Sequence, residues 1–134
     1  MKDEGIFERQ GGLGKRSESL SRQQGCEGEC LAARFLEQRG LRIIARNYRC
    51  RRGEVDLVAR DRDTLVFVEV RWRSGNRFGG AAESIDARKQ RRLVAAARHY
   101  LAVFRVTLAC RFDAILIEGG TGETLEWLRD IFCL

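Results

Sequence analysis

The chain has 134 residues, of which 44% are hydrophobic and 33% are charged, and it carries a formal net charge of +6. This length accommodates one domain with a single core and is too short for two. The sequence has neither an apolar run of the roughly 20 residues that a membrane helix needs nor a secretory signal pattern, so we expect a cytoplasmic protein.

Residues 1–22 are rich in Gly, Ser, Gln and charged side chains, which predicts a flexible N-terminal tail before a domain at 23–134. Helical spacing of apolar residues predicts a first helix from about 24 to 39, and Gly40 is typical of the position after a helix. Three strands are predicted next, at 41–48, 54–60 and 65–73, with a turn at 62–63. The Gly-rich segment 74–82 is expected to be a loop.

The second half of the chain predicts one helix and at least one strand. Ser84 is the expected N-cap of a long helix that ends near Phe104. The segment 111–118 alternates as a fourth strand, and 125–132 is open between strand and helix. The predicted order α-β-β-β-α-β describes an α/β domain with a mixed sheet between helices. The buried side of the long helix is expected to carry Leu93, Ala97, Tyr100, Leu101 and Phe104.

The positive charge comes from arginine and falls into two clusters. Six arginines and no acid lie in 39–52, and a second basic cluster occupies 88–98 on the predicted long helix. The planar guanidinium group matches phosphate oxygens, so these clusters indicate a nucleic-acid partner. The alternative is a solvated, arginine-rich surface without a ligand.

The five cysteines do not form a recognisable framework. An odd number at irregular spacing argues against disulfides, and no further Cys or His pair completes a zinc site with Cys26 and Cys30. We expect small buried thiols.

Two acids occupy facing positions on the second and third predicted strands. Pairing counted outward from a turn at Arg62 and Asp63 puts Asp56 opposite Glu69, where two like charges are destabilising. Glu69 lies in a strand apolar enough to be buried, and a buried charge needs a partner or a metal. Facing carboxylates suit a hard divalent cation, and Arg71 shares the face of Glu69 and can hold a phosphate. The alternative is a structural salt-bridge network.

Glu29 is a third candidate acid. The residues three, four and seven positions after it are Ala32, Ala33 and Leu36, so Glu29 lies on the apolar side of the first helix. Directed toward the sheet, it would complete an acidic cluster. Otherwise it is a boundary residue that reaches solvent.

These residues belong to a spaced pattern that closely resembles the pattern of the YraN-like family of uncharacterised bacterial proteins. The resemblance covers the chain from about Gly25 to Glu118 and continues to the Glu126-Trp127 region. That family is similar to the PD-(D/E)xK superfamily of restriction-endonuclease-like and Holliday-junction-resolvase-like nucleases. The pattern consists of Gly28-Glu29, Arg46-Asn47-Tyr48-Arg49, Gly53-Glu54-Val55-Asp56-Leu57, Phe67-Val68-Glu69-Val70-Arg71-Trp72-Arg73 and Phe78-Gly79 before Lys89.

The resemblance implies a restriction-endonuclease-like core and a Mg²⁺- or Mn²⁺-dependent endonuclease that hydrolyses DNA phosphodiesters, for example in branched or recombination and repair structures. Asp56, Glu69 and the backbone carbonyl of Val70 would hold the metal, and Glu29 matches the helix-borne acid of the superfamily. Arg71 stands where the superfamily has lysine. Because arginine stays protonated, Lys89 on the next helix is a candidate to replace it, with phosphate contact as its alternative role.

The expected partner is nucleic acid, DNA rather than RNA, with no membrane and with a homodimer compatible with action on two strands. The arginine at position 71 keeps a second hypothesis open, namely a catalytically inactive nuclease-fold module that binds nucleic acid or a partner protein. The predicted catalytic residues are Glu29, Asp56, Glu69, Arg71 and Lys89, and the predicted nucleic-acid contacts are Arg49, Arg51, Arg52, Arg73, Arg77, Lys89 and Arg92.

Overall fold

The computed structural model describes residues 16–73, 85–120 and 124–134, with side chains from residue 26 onward and without that of Arg73. Seven elements follow one another in the order α-β-β-β-α-β-β, which confirms the predicted core and adds a final strand. The elements are α1 (Arg16–Gln38), β1 (Arg42–Cys50), β2 (Gly53–Asp61), β3 (Thr64–Arg73), α2 (Ala87–Val103), β4 (Ala109–Glu118) and β5 (Thr124–Leu128).

The five strands form one mixed sheet in the order β1-β2-β3-β4-β5. The β1–β2, β2–β3 and β4–β5 pairs are antiparallel, whereas β3 and β4 are parallel. A parallel pair cannot be joined by a tight hairpin, and α2 lies in the crossover connection between β3 and β4. The architecture is therefore the predicted restriction-endonuclease-like one, with a mixed sheet flanked by two helices.

Each face of the sheet carries its own hydrophobic core. The α2 face buries Val58 and Phe67 of the sheet against Leu93 and Ala97 of the helix. The α1 face buries Val66 and Val68 with the helix residues Ala32, Ala33 and Leu36. Successive β3 residues thus alternate between two buried faces, which explains why this strand is apolar at nearly every position.

The β2–β3 register agrees with the prediction but stops early. The pairs run from Asp61 with Thr64 at the turn to Leu57 with Val68. The next pair in this register would be Asp56 with Glu69, so the two acids follow directly after the last paired residues. There β2 continues its pairing with β1 as far as Gly53, while β3 continues beside β4 as far as Arg73. The two strands therefore part at the acidic residues.

Several helix predictions need correction. Helix α1 begins at Arg16, within the segment 1–22 expected to be a tail, and residues 1–15 lie outside the described part. The N-cap of α2 is Asp86, whose side chain accepts a hydrogen bond from the Lys89 N–H, so Ser84 is not the cap. Phe104 is 52% exposed, because it follows the last helical residue as the C-cap.

The expectation that the cysteines are buried is wrong as well, whereas the argument against disulfides agrees with the structure. Cys26, Cys30 and Cys133 are exposed and the other two are half-buried, and all five are free thiols. The ambiguous C-terminal segment is a strand over Thr124–Leu128. Across the described ranges, no helix is long and apolar enough to cross a membrane. The predicted loop at 74–82 lies outside the described residues.

Candidate active site

The candidate site lies where β2 and β3 separate. Glu69 is only 3% exposed although it carries a carboxyl group. In place of a further main-chain pair, the Val70 N–H donates a hydrogen bond to Asp56 Oδ2 at 2.8 Å. The side chain of Asp56 thus bridges the two strands where their ladder ends, and this bond fixes its carboxyl group beside Glu69.

Two cations approach Glu69. Lys89 Nζ lies 3.1 Å from Glu69 Oε2, and the Arg71 guanidinium lies 3.9 Å from the same oxygen. Arg71 reaches it from two positions along β3, whereas Lys89 comes from the first turn of α2, where Asp86 caps the helix. The lysine predicted as a substitute for the residue at position 71 therefore lies at the site, closer to Glu69 than Arg71 does.

The surroundings of Asp56 disfavour its charged form. Burial raises the pKa of Asp56 well above its ordinary value, and the neighbouring charge of Glu69 raises it further. The hydrogen bond from Val70 acts in the opposite direction, while the charge of Glu29 and a hydrogen bond with Glu69 again raise this pKa. The carboxyl group of Asp56 therefore keeps its proton more readily than an isolated acid would.

Glu29 extends the acidic cluster from the α1 side. A Cβ atom on the preceding Gly28 would lie 3.2 Å from the Trp72 ring, so the missing side chain lets α1 approach the sheet closely. Asn47 Nδ2 donates a hydrogen bond to Glu29 Oε1 at 2.8 Å. Burial raises the pKa of Glu29, whereas the bond from Asn47 lowers it. The half-buried carboxyl group thus faces the cluster and does not simply extend into solvent.

The basic residues of the β1–β2 hairpin lie beside the start of α2. A Cβ atom on Gly53 would overlap the backbone carbonyl of Arg92, so the hairpin turn touches the helix backbone. Arg51 and Arg52 are exposed in this turn, and Arg49 forms a 3.5 Å ion pair with Glu54. The two arginine clusters of the sequence thus meet at one edge of the molecule. Arg77 and the side chain of Arg73 lie outside the described residues.

The acidic residues of the site can be judged by the oxygen ligands that a hard divalent cation requires. Among the described residues, no three carboxylate, thiol or imidazole groups are close enough together to hold an ion. Mg²⁺, however, is usually bound by one or two carboxylates, with water and phosphate oxygens completing the octahedron. Asp56 and Glu69 fit that requirement, because a dication between them would offset the mutual repulsion of their charges. Direct ligation by Glu29 and by the Val70 carbonyl stays a prediction.

Comparison with known proteins shows which family the chain belongs to. The model of the uncharacterised protein family UPF0102 matches residues 28–117. The chain belongs to the UPF0102 family. A UPF0102 protein of Nitrosomonas europaea is 53% identical over 114 residues, which cover 85% of this chain and 97% of that protein. A UPF0102 protein of Methylococcus capsulatus is 52% identical over 107 residues, covering 79% and 87% of the two chains.

The UPF0102 assignment confirms the resemblance to the YraN-like family, and the matched region contains every candidate catalytic residue of this chain. A UPF0102 protein of Cupriavidus taiwanensis is 52% identical over 120 residues, covering 88% of this chain and 89% of the relative. These relatives support the family and the extent of the domain, and their names state no reaction.

The roles of two residues of the site were not predicted from the sequence. The sequence pattern includes Asn47 without giving it a role, and it predicts Ser84 and not Asp86 as the N-cap. A signal existed for each, because Asn tolerates positive φ within a strand and Asp is a strong N-cap. Both act on candidate catalytic residues, Asn47 on Glu29 and Asp86 on the first helical turn that carries Lys89.

Proposed function

We propose that this chain is a divalent-metal-dependent endonuclease that hydrolyses DNA phosphodiesters, with branched or recombination and repair intermediates as its substrates. The observation that carries the proposal is the pair of the half-buried Asp56 and the buried Glu69 at the point where β2 and β3 separate, with Lys89 3.1 Å from Glu69. An ion pair with a purely structural role needs only one acid and one base. Two facing acids are useful where a dication and a phosphate must meet.

Mg²⁺ or Mn²⁺ would lower the pKa of a water molecule and neutralise charge on the phosphate undergoing in-line attack. Asp56 and Glu69 would bind the ion, and the Val70 carbonyl is the expected backbone ligand. The hydrogen bond from the Val70 N–H keeps Asp56 directed at this position before any ion binds. Glu29 adds negative charge from the opposite side of the strand gap and favours a cation there.

Lys89 and Arg71 divide the remaining chemistry between them. The Lys89 ammonium can hold a proton at Nζ and exchange it with water, which a guanidinium does not do at neutral pH. Arg71 supplies fixed positive charge and hydrogen-bond donors for the phosphate oxygens. Because both side chains reach Glu69, each would lie close to a phosphate bound to a metal ion at this acid.

Nucleic-acid binding is supported by the basic edge next to the site. Arg51 and Arg52 on the hairpin and Arg92 on α2 are exposed and adjoin one another through the contact of Gly53 with the helix. Neutralised phosphates release counterions, which gives arginine contacts their affinity. A symmetric homodimer would present two such edges to two DNA strands.

A binding module without cleavage is the second candidate, and one observation favours it. The ion pair with Lys89 already satisfies Glu69, and Arg71 cannot exchange a proton in place of the missing lysine. In that case the acids would set the position of the neighbouring cations, which would then contact phosphate.

The deciding experiment is cleavage of labelled branched, flapped and single-stranded DNA with Mg²⁺ or Mn²⁺. The unchanged chain is compared with Asp56→Asn, Glu69→Gln and the matched control Asp63→Asn, which alters an exposed acid in the β2–β3 turn. We expect metal-dependent cleavage that both site variants lose and the control keeps. Salt-sensitive binding of the same DNAs without any cleavage would favour the binding module instead.

A further inference from the structure

Asn47 has an unusual backbone conformation for a residue inside a strand. It lies within β1 with a φ of 52°, in the left-handed region that most non-glycine residues avoid. The neighbouring residues Arg46 and Tyr48 pair with Leu57 and Val55 of β2. Asn47 therefore lies directly across from Asp56, and the strained position belongs to the candidate active site.

The side chain of Asn47 connects β1 to α1. Its amide donates a 2.8 Å hydrogen bond to Glu29, the acid that α1 contributes to the cluster. A glutamate side chain has several rotatable bonds and loses much rotamer freedom when it is held in place. A neutral donor can fix such a carboxylate without cancelling its charge, whereas an arginine at this position would form an ion pair with it.

We propose that Asn47 is a positioning residue of the metal site, which acts by holding the carboxylate of Glu29 toward Asp56. This inference rests on the proposed metal-dependent function and adds a residue to it. The left-handed conformation of Asn47 occurs together with the hydrogen bond of its amide to α1, and backbone strain of this kind is typical of functional sites. Hydrogen-bond partners outside the ligand shell commonly change metal affinity by about 10- to 100-fold.

The test measures Mn²⁺ binding by calorimetry on the full chain, without DNA. Asn47→Gly removes the amide while accepting positive φ, so the fold is preserved and Glu29 is released. Should the glycine variant fail to fold by circular dichroism, Glu29→Gln is measured by itself, because the role of Asn47 requires that loss of the Glu29 carboxylate weakens Mn²⁺ binding, and wild-type affinity in that variant would overturn it. Arg62→Gly is the matched control, because Arg62 also has positive φ, 59°, but lies in the β2–β3 turn away from the acids.

We expect Asn47→Gly to weaken Mn²⁺ binding about tenfold and Arg62→Gly to leave it unchanged. In a double-mutant cycle with Glu29→Gln, the Asn47 substitution should cost nothing further, since its target carboxylate is already gone. Wild-type affinity in Asn47→Gly, or an undiminished loss in the Glu29→Gln background, would overturn the role of Asn47 while leaving the metal site intact. Absence of Mn²⁺ binding by the unchanged chain would instead overturn the metal site itself and this role with it.

Discussion

Two buried acids on neighbouring strands of this sheet have very different surroundings. Asp113 on β4 is 1% exposed and Glu69 on β3 is 3% exposed, and they are the two buried charged residues of the described structure. Asp113 accepts hydrogen bonds from Trp127 Nε1 and from the Asp130 N–H, both at 2.9 Å, and from the Arg111 guanidinium at 3.0 Å. Each of its oxygens thus has a fixed donor.

Glu69 has a second acid beside it. Burial and this neighbour raise the pKa of Asp56, and the nearest cation, Lys89, belongs to another layer of the fold. The Asp113 network, by contrast, ties β4 to β5 and to the C-terminal segment. Burial alone therefore does not mark a functional acid. The distinguishing feature is the neighbouring carboxyl group of Asp56, whose pKa is raised by burial and by the charge of Glu69.

The largest expected effect is on the compensated acid. Asp113→Ala leaves the Arg111 charge and the Trp127 N–H without their shared acceptor in a buried place. We expect the free energy of unfolding, measured in urea, to fall by about 3–5 kcal/mol. Asp63→Ala in the exposed turn is the control and should change it by about 0.5 kcal/mol or less. A loss as small as that for Asp113→Ala would mean that the network is not structural.

The second largest effect concerns Lys89. Lys89→Met removes the ammonium group 3.1 Å from Glu69 but keeps an unbranched stem of similar length. If Lys89 exchanges a proton during cleavage, the single-turnover rate should fall by about 100-fold. Arg34→Met, on the exposed side of α1, is the control and should retain the rate.

Measuring DNA affinity separately distinguishes the two roles considered for Lys89. An unchanged rate with weakened binding would make Lys89 a phosphate contact and not a participant in the chemistry. An unchanged rate with unchanged binding would mean that Lys89 takes part in neither cleavage nor DNA binding.

The sequence predicted the parts of the fold that local patterns determine. Gly40 does have positive φ after α1, at 94°, and pairing counted from the turn at Arg62 gives the correct β2–β3 register as far as Leu57 with Val68, the last pair before the two acids. Both results depend on residues close together in the chain. The choice between Ser84 and Asp86 as the N-cap could not be made this way, because both are good caps. The buried Ile85 fixes where the chain enters the helix.

Contacts between distant segments account for what the sequence did not reveal. The hydrogen bonds of Asp113 with Trp127 and Asp130 were not predicted, because these donors lie 14 and 17 residues away along the chain. The bond from Asn47 to Glu29 spans 18 residues and depends on one left-handed residue. The approach of Lys89 to Glu69 was foreseen only as one option, since spacing along the chain does not fix how far a helix reaches over a sheet.

A smaller effect is expected from Asp56, and it has the opposite sign. Because the pKa of Asp56 is raised in the folded chain, the folded chain holds a proton that the unfolded chain releases above a pKa of about 3.9. The metal-free protein should therefore lose stability as the pH rises from about 4 through the raised pKa. Asp56→Asn removes this loss and should raise the free energy of unfolding at pH 7 by about 1–3 kcal/mol.

The pH dependence separates this explanation from a general stabilisation. The gain of Asp56→Asn over the unchanged chain should shrink toward zero near pH 4, whereas Asp63→Asn should show no such trend. Saturating Mn²⁺ should stabilise the unchanged chain and not Asp56→Asn. A variant less stable than the unchanged chain at pH 7 would mean that the charge on Asp56 is fully compensated, as that on Asp113 is.

The smallest effect concerns the basic edge, where no single side chain dominates. Substituting both Arg51 and Arg52 by Gln should reduce the slope of log affinity against log salt by about 1 for each phosphate that is no longer neutralised. The measurement uses branched DNA without metal, so that cleavage does not interfere, and Arg34→Gln is the matched control. Because exposed arginines bind phosphates nearly independently, the two single substitutions should each give about half of the change. An unaltered slope would mean that DNA approaches the acids from another side, and that the hairpin arginines serve solvation alone.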